Sequence, residues 1–118
     1  MNIIAIDIGT TNCKAIVVNG QAKVLRSFQS ATKPIQPRQG WNEQNADEIF
    51  NAVLKLLQQA IAFCKAENIA CISFSAAMHS LLAVDKKGKP LMNMLTWADL
   101  RSAAYAQQLK QKPIAKKV

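Results

Sequence analysis

The chain is poor in the residues that carry metal or disulfide chemistry: it has three cysteines and one histidine in 118 residues. Cys13, Cys64 and Cys71 are odd in number and show no Cys-x-x-Cys spacing, so neither a disulfide framework nor a zinc knuckle is expected, and a reducing cytoplasmic setting is. No apolar run approaches the roughly 20 residues of a membrane span. The opening residues Met1 to Ala5 lack a basic region and Asp7 interrupts their apolar run, so no signal peptide is read. Acidic residues are also scarce, 7 against 15 lysines and arginines, for a net charge of +8. That surplus invites a nucleic-acid reading. Much of it, however, lies in Lys86-Lys87-Gly88-Lys89 and in the tail bearing Lys110, Lys112, Lys116 and Lys117. No aromatic residues interleave there to stack on bases, so neither nucleic acid nor membrane is an expected partner. What is abundant is apolar: half the residues are hydrophobic and 19% are charged, enough for one domain with a real core and against disorder.

Residues 3–8 form a short apolar run closed by Gly9, which predicts a buried strand. Residues 14–18 predict a second, Asn19-Gly20 a two-residue hairpin turn, and residues 23–30 a third strand, giving an antiparallel meander. Residues 32–44 carry Pro34, Pro37 and Gly40 and read as a loop. Asn45 with Glu48 three residues on forms a capping box. The helix it opens places Phe50, Val53, Leu54, Leu57, Ile61 and Cys64 on one expected buried face, and ends near Glu67-Asn68. Strands are predicted at 69–75 and 80–84, a turn at 85–88, and a last helix capped by Asp99 that runs to about Lys110, before Pro113.

The segment with chemical content is Asp7-Ile8-Gly9-Thr10-Thr11-Asn12-Cys13-Lys14, between the first two strands. Gly9 permits a sharp turn and close approach of the backbone to a ligand. Thr10, Thr11 and Asn12 add short polar side chains beside backbone N–H groups, a combination suited to phosphate oxygens. Lys14 adds positive charge. Asp7 would repel phosphate unless a cation stood between them, and magnesium, which binds through one or two carboxylates plus phosphates, resolves that conflict. The Walker pattern is absent. An ordinary turn would draw on the same residue types.

Asp-x-Gly-Thr-Thr at the end of a first strand resembles the first phosphate loop of the sugar kinase, heat-shock ATPase and actin group. Three further segments narrow the resemblance to the FGGY carbohydrate kinases: Trp41-Asn42-Glu43-Gln44, Ser75-Ala76-Ala77-Met78-His79, and Thr96-Trp97-Ala98-Asp99-Leu100-Arg101. The Ala at 98, with Ser80-Leu81 after the histidine, is more similar to the gluconate kinase branch than to xylulokinase. The resemblance covers essentially the whole chain.

This resemblance implies an α/β fold of the ribonuclease H-like, actin-like ATPase type: a three-stranded antiparallel meander extended by a parallel strand, with helices packed on the sheet. It implies that residues 1–118 are the partial amino-terminal lobe of a two-lobed kinase, with the second lobe, the adenine pocket and the proton-accepting aspartate beyond Val118. It implies ATP and magnesium as cofactors, Asp7 acting through the metal, and Gly9, Thr10, Thr11, Asn12 and Lys14 meeting the phosphates. Met78 and His79, with Trp97, Asp99 and Arg101, would face the sugar or sugar acid; gluconate is the first expectation and xylulose or another polyol the second. On the residues alone, His79 can equally be a core residue, Met78 a space-filler, Trp41 a loop anchor, Asp99 a helix cap and Arg101 a solvated charge. A different actin-fold phosphotransferase, or a binding module without catalysis, stays open, as does a homo-oligomer.

Overall fold

A computed structural model describes residues 1–113, so Lys116 and Lys117 of the basic tail lie outside the described residues. Strands β1 (Asn2–Ile8), β2 (Asn12–Asn19) and β3 (Val24–Ala31) form the antiparallel meander, and β5 (Ile69–Ala76) pairs with β1 in parallel. The sheet order is β3-β2-β1-β5. A parallel pair needs a crossover, and α1 (Ala46–Cys64) supplies it. Alternation along the strands sends Ile4, Ile6, Cys13, Ala15 and Val17 to one face, where they meet Val53, Leu56, Ala60 and Cys64 of α1. Burial, then the nearby Asp7 charge, push the Cys13 thiol's pKa up, so this cysteine is a core residue.

Several local expectations need correction. The β2–β3 connection is wider than two residues: Asn19 N–H donates to Lys23 O, the Asn19 Oδ1 accepts from Gln21 and Lys23 N–H, and the left-handed residue is Ala22 (φ 59°). The asparagine side chain shapes that turn, in the manner of an Asx turn. Asn45 caps α1, its Oδ1 accepting Glu48 N–H at 3.1 Å. The reciprocal bond from the Glu48 side chain is not among those of the described residues. The helix stops at Cys64, where Lys65 turns to φ 59°, and a 3-10 turn completes the path to Asn68.

The expected buried face of α1 is displaced around its axis. Val53 and Cys64 are buried as expected, but Leu56 and Ala60 join them, while Phe50 is 62% exposed and Leu54 is also exposed. At about 100° per residue, the stripe through Phe50, Leu54, Leu57 and Ile61 lies roughly a quarter turn from the buried one, and its members Leu57 and Ile61 are half-buried and pack against the core as expected. Both stripes are apolar, so periodicity alone could not choose between them.

No strand forms over 80–84. Leu81 makes an isolated bridge to Leu95, and Val84 one to Pro90. The turn at 85–88 is present, with Asp85 Oδ1 accepting from Lys87 and Lys89 N–H and Gly88 at φ 78°. Within the expected loop 32–44, Glu43–Gln44 form β4 and pair with β6 (Met94–Leu95). The last helix, α2 (Ala103–Lys110), begins after Ser102, so Asp99 is not its cap.

Candidate functional site

Parallel pairing of β1 and β5 brings two turns to the same end of the sheet. The register Asp7↔Ser75 and Ile8↔Ala76 carries the pairing to the strand ends, and Ala77 N–H then donates to Ile8 O at 3.1 Å. Gly9–Asn12 and Ala77–His79 therefore leave neighbouring strands side by side, the place where α/β sheets gather ligands.

The first turn is closed by Gly9 N–H donating to Asn12 O at 3.0 Å. A Cβ at Gly9 would stand 2.7 Å from that same carbonyl oxygen, so glycine is required here by contact, without a left-handed backbone. Thr10 and Thr11 N–H make no hydrogen bond among the described residues, which leaves two donors at the turn for an anion. Asp7 and Lys14 are cross-strand partners, both exposed, on the face of the sheet opposite α1.

The second turn holds His79 at φ 67°. That conformation is costly for a residue with a Cβ and tends to persist where the surroundings need it. Met78 is 75% exposed and His79 is exposed too, so neither is a core residue among the described ones.

Trp97 reaches this end through a row of backbone bridges. Leu81 and Leu95 exchange N–H···O bonds of 2.9 Å, Leu95 opposes Glu43, and Glu43 in turn bridges Ile35. Thr96 N–H donates to Asn42 O at 3.0 Å, and Thr96 Oγ1 donates to Asn42 Oδ1 at 2.8 Å, leaving Trp97 64% exposed.

Asp99 and Arg101 point inward to this loop. Arg101 Nη2 donates to Asp99 Oδ2 and Glu43 Oε1, each at 2.7 Å, and Nε donates to Asp99 Oδ1 at 2.9 Å. Its guanidinium lies 3.9 Å from the centroid of Trp41, a cation–π stack that makes Trp41 a loop anchor. Asp99 Oδ2 also accepts Asn42 N–H at 2.8 Å. The Arg101 hydrogen bond, followed by that from Asn42, holds the Asp99 carboxyl far below the usual carboxylate range.

Gln44, Thr32 and Glu43 were not singled out as site residues by the sequence. Gln44 is 2% exposed, and its Nε2 donates to Thr10 O at 2.7 Å. Thr32 Oγ1 donates to the same oxygen at 3.0 Å, and Thr32 N–H donates to Thr11 O at 2.9 Å. The available signal was the Trp-x-Glu-Gln segment, which gives no indication of what its side chains reach. A groove of about 450 Å³ opens beneath the Gly9–Asn12 turn, on the α1 side, lined by Phe50, Leu54, Leu57, Phe74 and Leu82. Its walls are almost wholly apolar, the wrong chemistry for a polyol.

Comparison with known proteins agrees with this layout. The chain is 37% identical over 109 residues to a gluconokinase of Bacillus licheniformis, covering 92% of this chain and 21% of that protein. It is 35% identical over 117 residues to a glycerol kinase of Rhizobium meliloti, covering 97% and 24%. A solved gluconate kinase from Lactobacillus acidophilus superposes with a TM-score of 0.90 at 30% identity, over 98% of this chain and 23% of that one. The chain thus spans between a fifth and a quarter of the length of these relatives. The described sheet, three antiparallel strands extended by a parallel one, is the fold of these kinases, and residues 2–118 match the N-terminal domain model of the FGGY family of carbohydrate kinases, to which this chain belongs.

Proposed function

We propose that the protein carrying this chain transfers the terminal phosphate of MgATP to a primary hydroxyl of a sugar acid, gluconate first, giving 6-phosphogluconate. The observation behind this reading is the Ala77 N–H to Ile8 O bond, which sets a phosphate-type turn beside the exposed turn that carries Met78 and His79. The exposed Asp7 carboxylate and the N–H groups of Thr10 and Thr11, unpartnered among the described residues, fit a magnesium–phosphate group. Magnesium, when bound, offsets phosphate charge beside Asp7. Thr10, Thr11 and Asn12 orient phosphate oxygens, and Lys14 adds charge across from Asp7. Positioning and charge neutralisation dominate such transfers.

Met78 and His79 would hold the acceptor, His79 by hydrogen bonds from its ring and Met78 by apolar contact, with Trp97 offering a ring face. Asp99 and Arg101 act here by holding the Trp97 loop, because the Arg101 fork is already engaged by two carboxylates. We further propose that this chain is the phosphate- and sugar-side part of a two-lobed enzyme, with adenine contacts and the proton acceptor elsewhere. A polyol such as glycerol is the second acceptor reading, favoured by the 35% identity to a glycerol kinase.

The test is ADP release by the intact protein with MgATP and gluconate, xylulose or glycerol in turn. Gluconate is expected to give the highest kcat/KM. A higher value with glycerol would replace the acceptor, and no acceptor-dependent turnover would remove the function.

A further inference from the structure

The two residues of β4 look in opposite directions. Gln44 is turned to the phosphate turn, its Nε2 on Thr10 O at 2.7 Å and within 3.4 Å of Thr32 Oγ1. Glu43 is turned to the Trp97 loop, its Oε1 on Arg101 Nη2 at 2.7 Å and its Oε2 on Asn93 Nδ2 at 2.8 Å. Both are buried, and a buried polar group without a partner is costly, so each side chain is committed to its loop. Strand alternation forces adjacent residues to opposite sides. The distance between the two loops is therefore set by one peptide unit.

We propose that Glu43 and Gln44 are positioning residues that fix the phosphate turn and the Trp97 loop relative to each other, each governing one substrate. The inference rests on the function proposed above. Thr10 O receives two side-chain donors, from Gln44 and Thr32. Fixing that carbonyl directs the adjoining Thr11 N–H, since both belong to one planar peptide. Gln44 thereby orients a phosphate donor without touching phosphate. Glu43 acts on the acceptor side, through Arg101 and through its backbone pairing with Leu95.

The experiment uses Gln44→Met and Glu43→Met, which keep side-chain length and remove the polar atoms, and Gln44→His, whose ring N–H can donate at similar reach. Amide exchange in the intact protein is followed at Gly9 and Thr32 for the phosphate turn, and at Asn42, Leu100 and Arg101 for the Trp97 loop. Gln44→Met is expected to speed exchange at the first pair about tenfold, leave the second group unchanged, and raise the MgATP KM about 5- to 10-fold with the acceptor KM constant, the scale of one lost hydrogen bond. Gln44→His restores part of both. Glu43→Met gives the mirror result, with faster exchange in the Trp97 loop and a raised acceptor KM. Unchanged exchange at both loops, or exchange raised alike across the chain, overturns the proposal. If the parent phosphorylates none of gluconate, xylulose and glycerol, the proposed function fails on that account, and the exchange pattern still decides whether the two residues position the loops.

Discussion

Asp7 and His79 sit at the ends of neighbouring strands, yet their constraints differ in kind. Asp7 lies in regular β1 and is set apart by its charge, exposed opposite Lys14. Asp7→Ala is expected to abolish phosphoryl transfer while acceptor binding survives, checked by turnover and calorimetric titration on one preparation; ordinary turnover would take Asp7 out of the mechanism. His79 is set apart by its backbone at φ 67°. Glycine relieves the cost of that conformation, about 1–2 kcal/mol, against an extra loss of chain entropy of about 0.5–1 kcal/mol. His79→Gly is therefore expected to leave the denaturation midpoint level or slightly raised while acceptor binding weakens by about 1–3 kcal/mol. Loss of stability and binding together would make His79 a structural residue.

At the scale of elements, the two apolar stripes of α1 predict unequal mutations. Leu56→Ala empties a site against β1 and β2 and should cost about 2–5 kcal/mol. Leu54→Ser, on the exposed stripe, should cost less than about 1 kcal/mol. Urea denaturation of both variants checks this, and equal losses would mean the helix is rotated. The meander, the Asn45 cap and the tight turn at Gly9 were legible because each is written in neighbouring residues. The helix face was legible only in part, since the exposed Phe50 and Leu54 repeat as regularly as the buried Val53 and Leu56. Not legible were the partners of Gln44 and Arg101, whose contacts cross 34 and 58 residues and leave no local period. The Trp97 loop also has a pH signature. Asp99 is ionised in the fold well below its unfolded value of about 3.9, because Arg101 and Asn42 N–H favour the anion. Its contribution to stability is thus fully present above about pH 4 and is lost as pH falls from there toward the folded value. Trp41 fluorescence and the urea midpoint should show an acid-side step that Asp99→Asn lacks. A step centred near pH 6 would assign it to another group.

For the whole molecule, one face of the sheet is covered by α1 and the other carries no helix among the described residues. β5 is exposed along nearly all its length, with Phe74 59% accessible. Phe74 and Phe50 both line the apolar groove, and an open apolar surface of this kind favours association. The 118-residue chain alone is expected to self-associate, its sedimentation coefficient rising with concentration and falling back in Phe74→Ser. With MgATP and gluconate, xylulose or glycerol it should show no acceptor-dependent ADP release. A concentration-independent monomer would refute the first expectation, and turnover on the order of 1–100 per second the second.

The parallel place of β5 also has a consequence in time. β1 is central to the sheet, but its second neighbour is encoded roughly 60 residues downstream, so that edge stays unsatisfied while α1 is being made. At about 5–20 residues per second, the ribosome leaves it open for roughly 3–12 seconds. The β1–β2–β3 meander is local and closes early, and β5 must find its slot late. A nascent chain halted just before Ile69 should present the β1 backbone to any passing strand, and one halted after Ala76, once both strands are clear of the ribosome, should not.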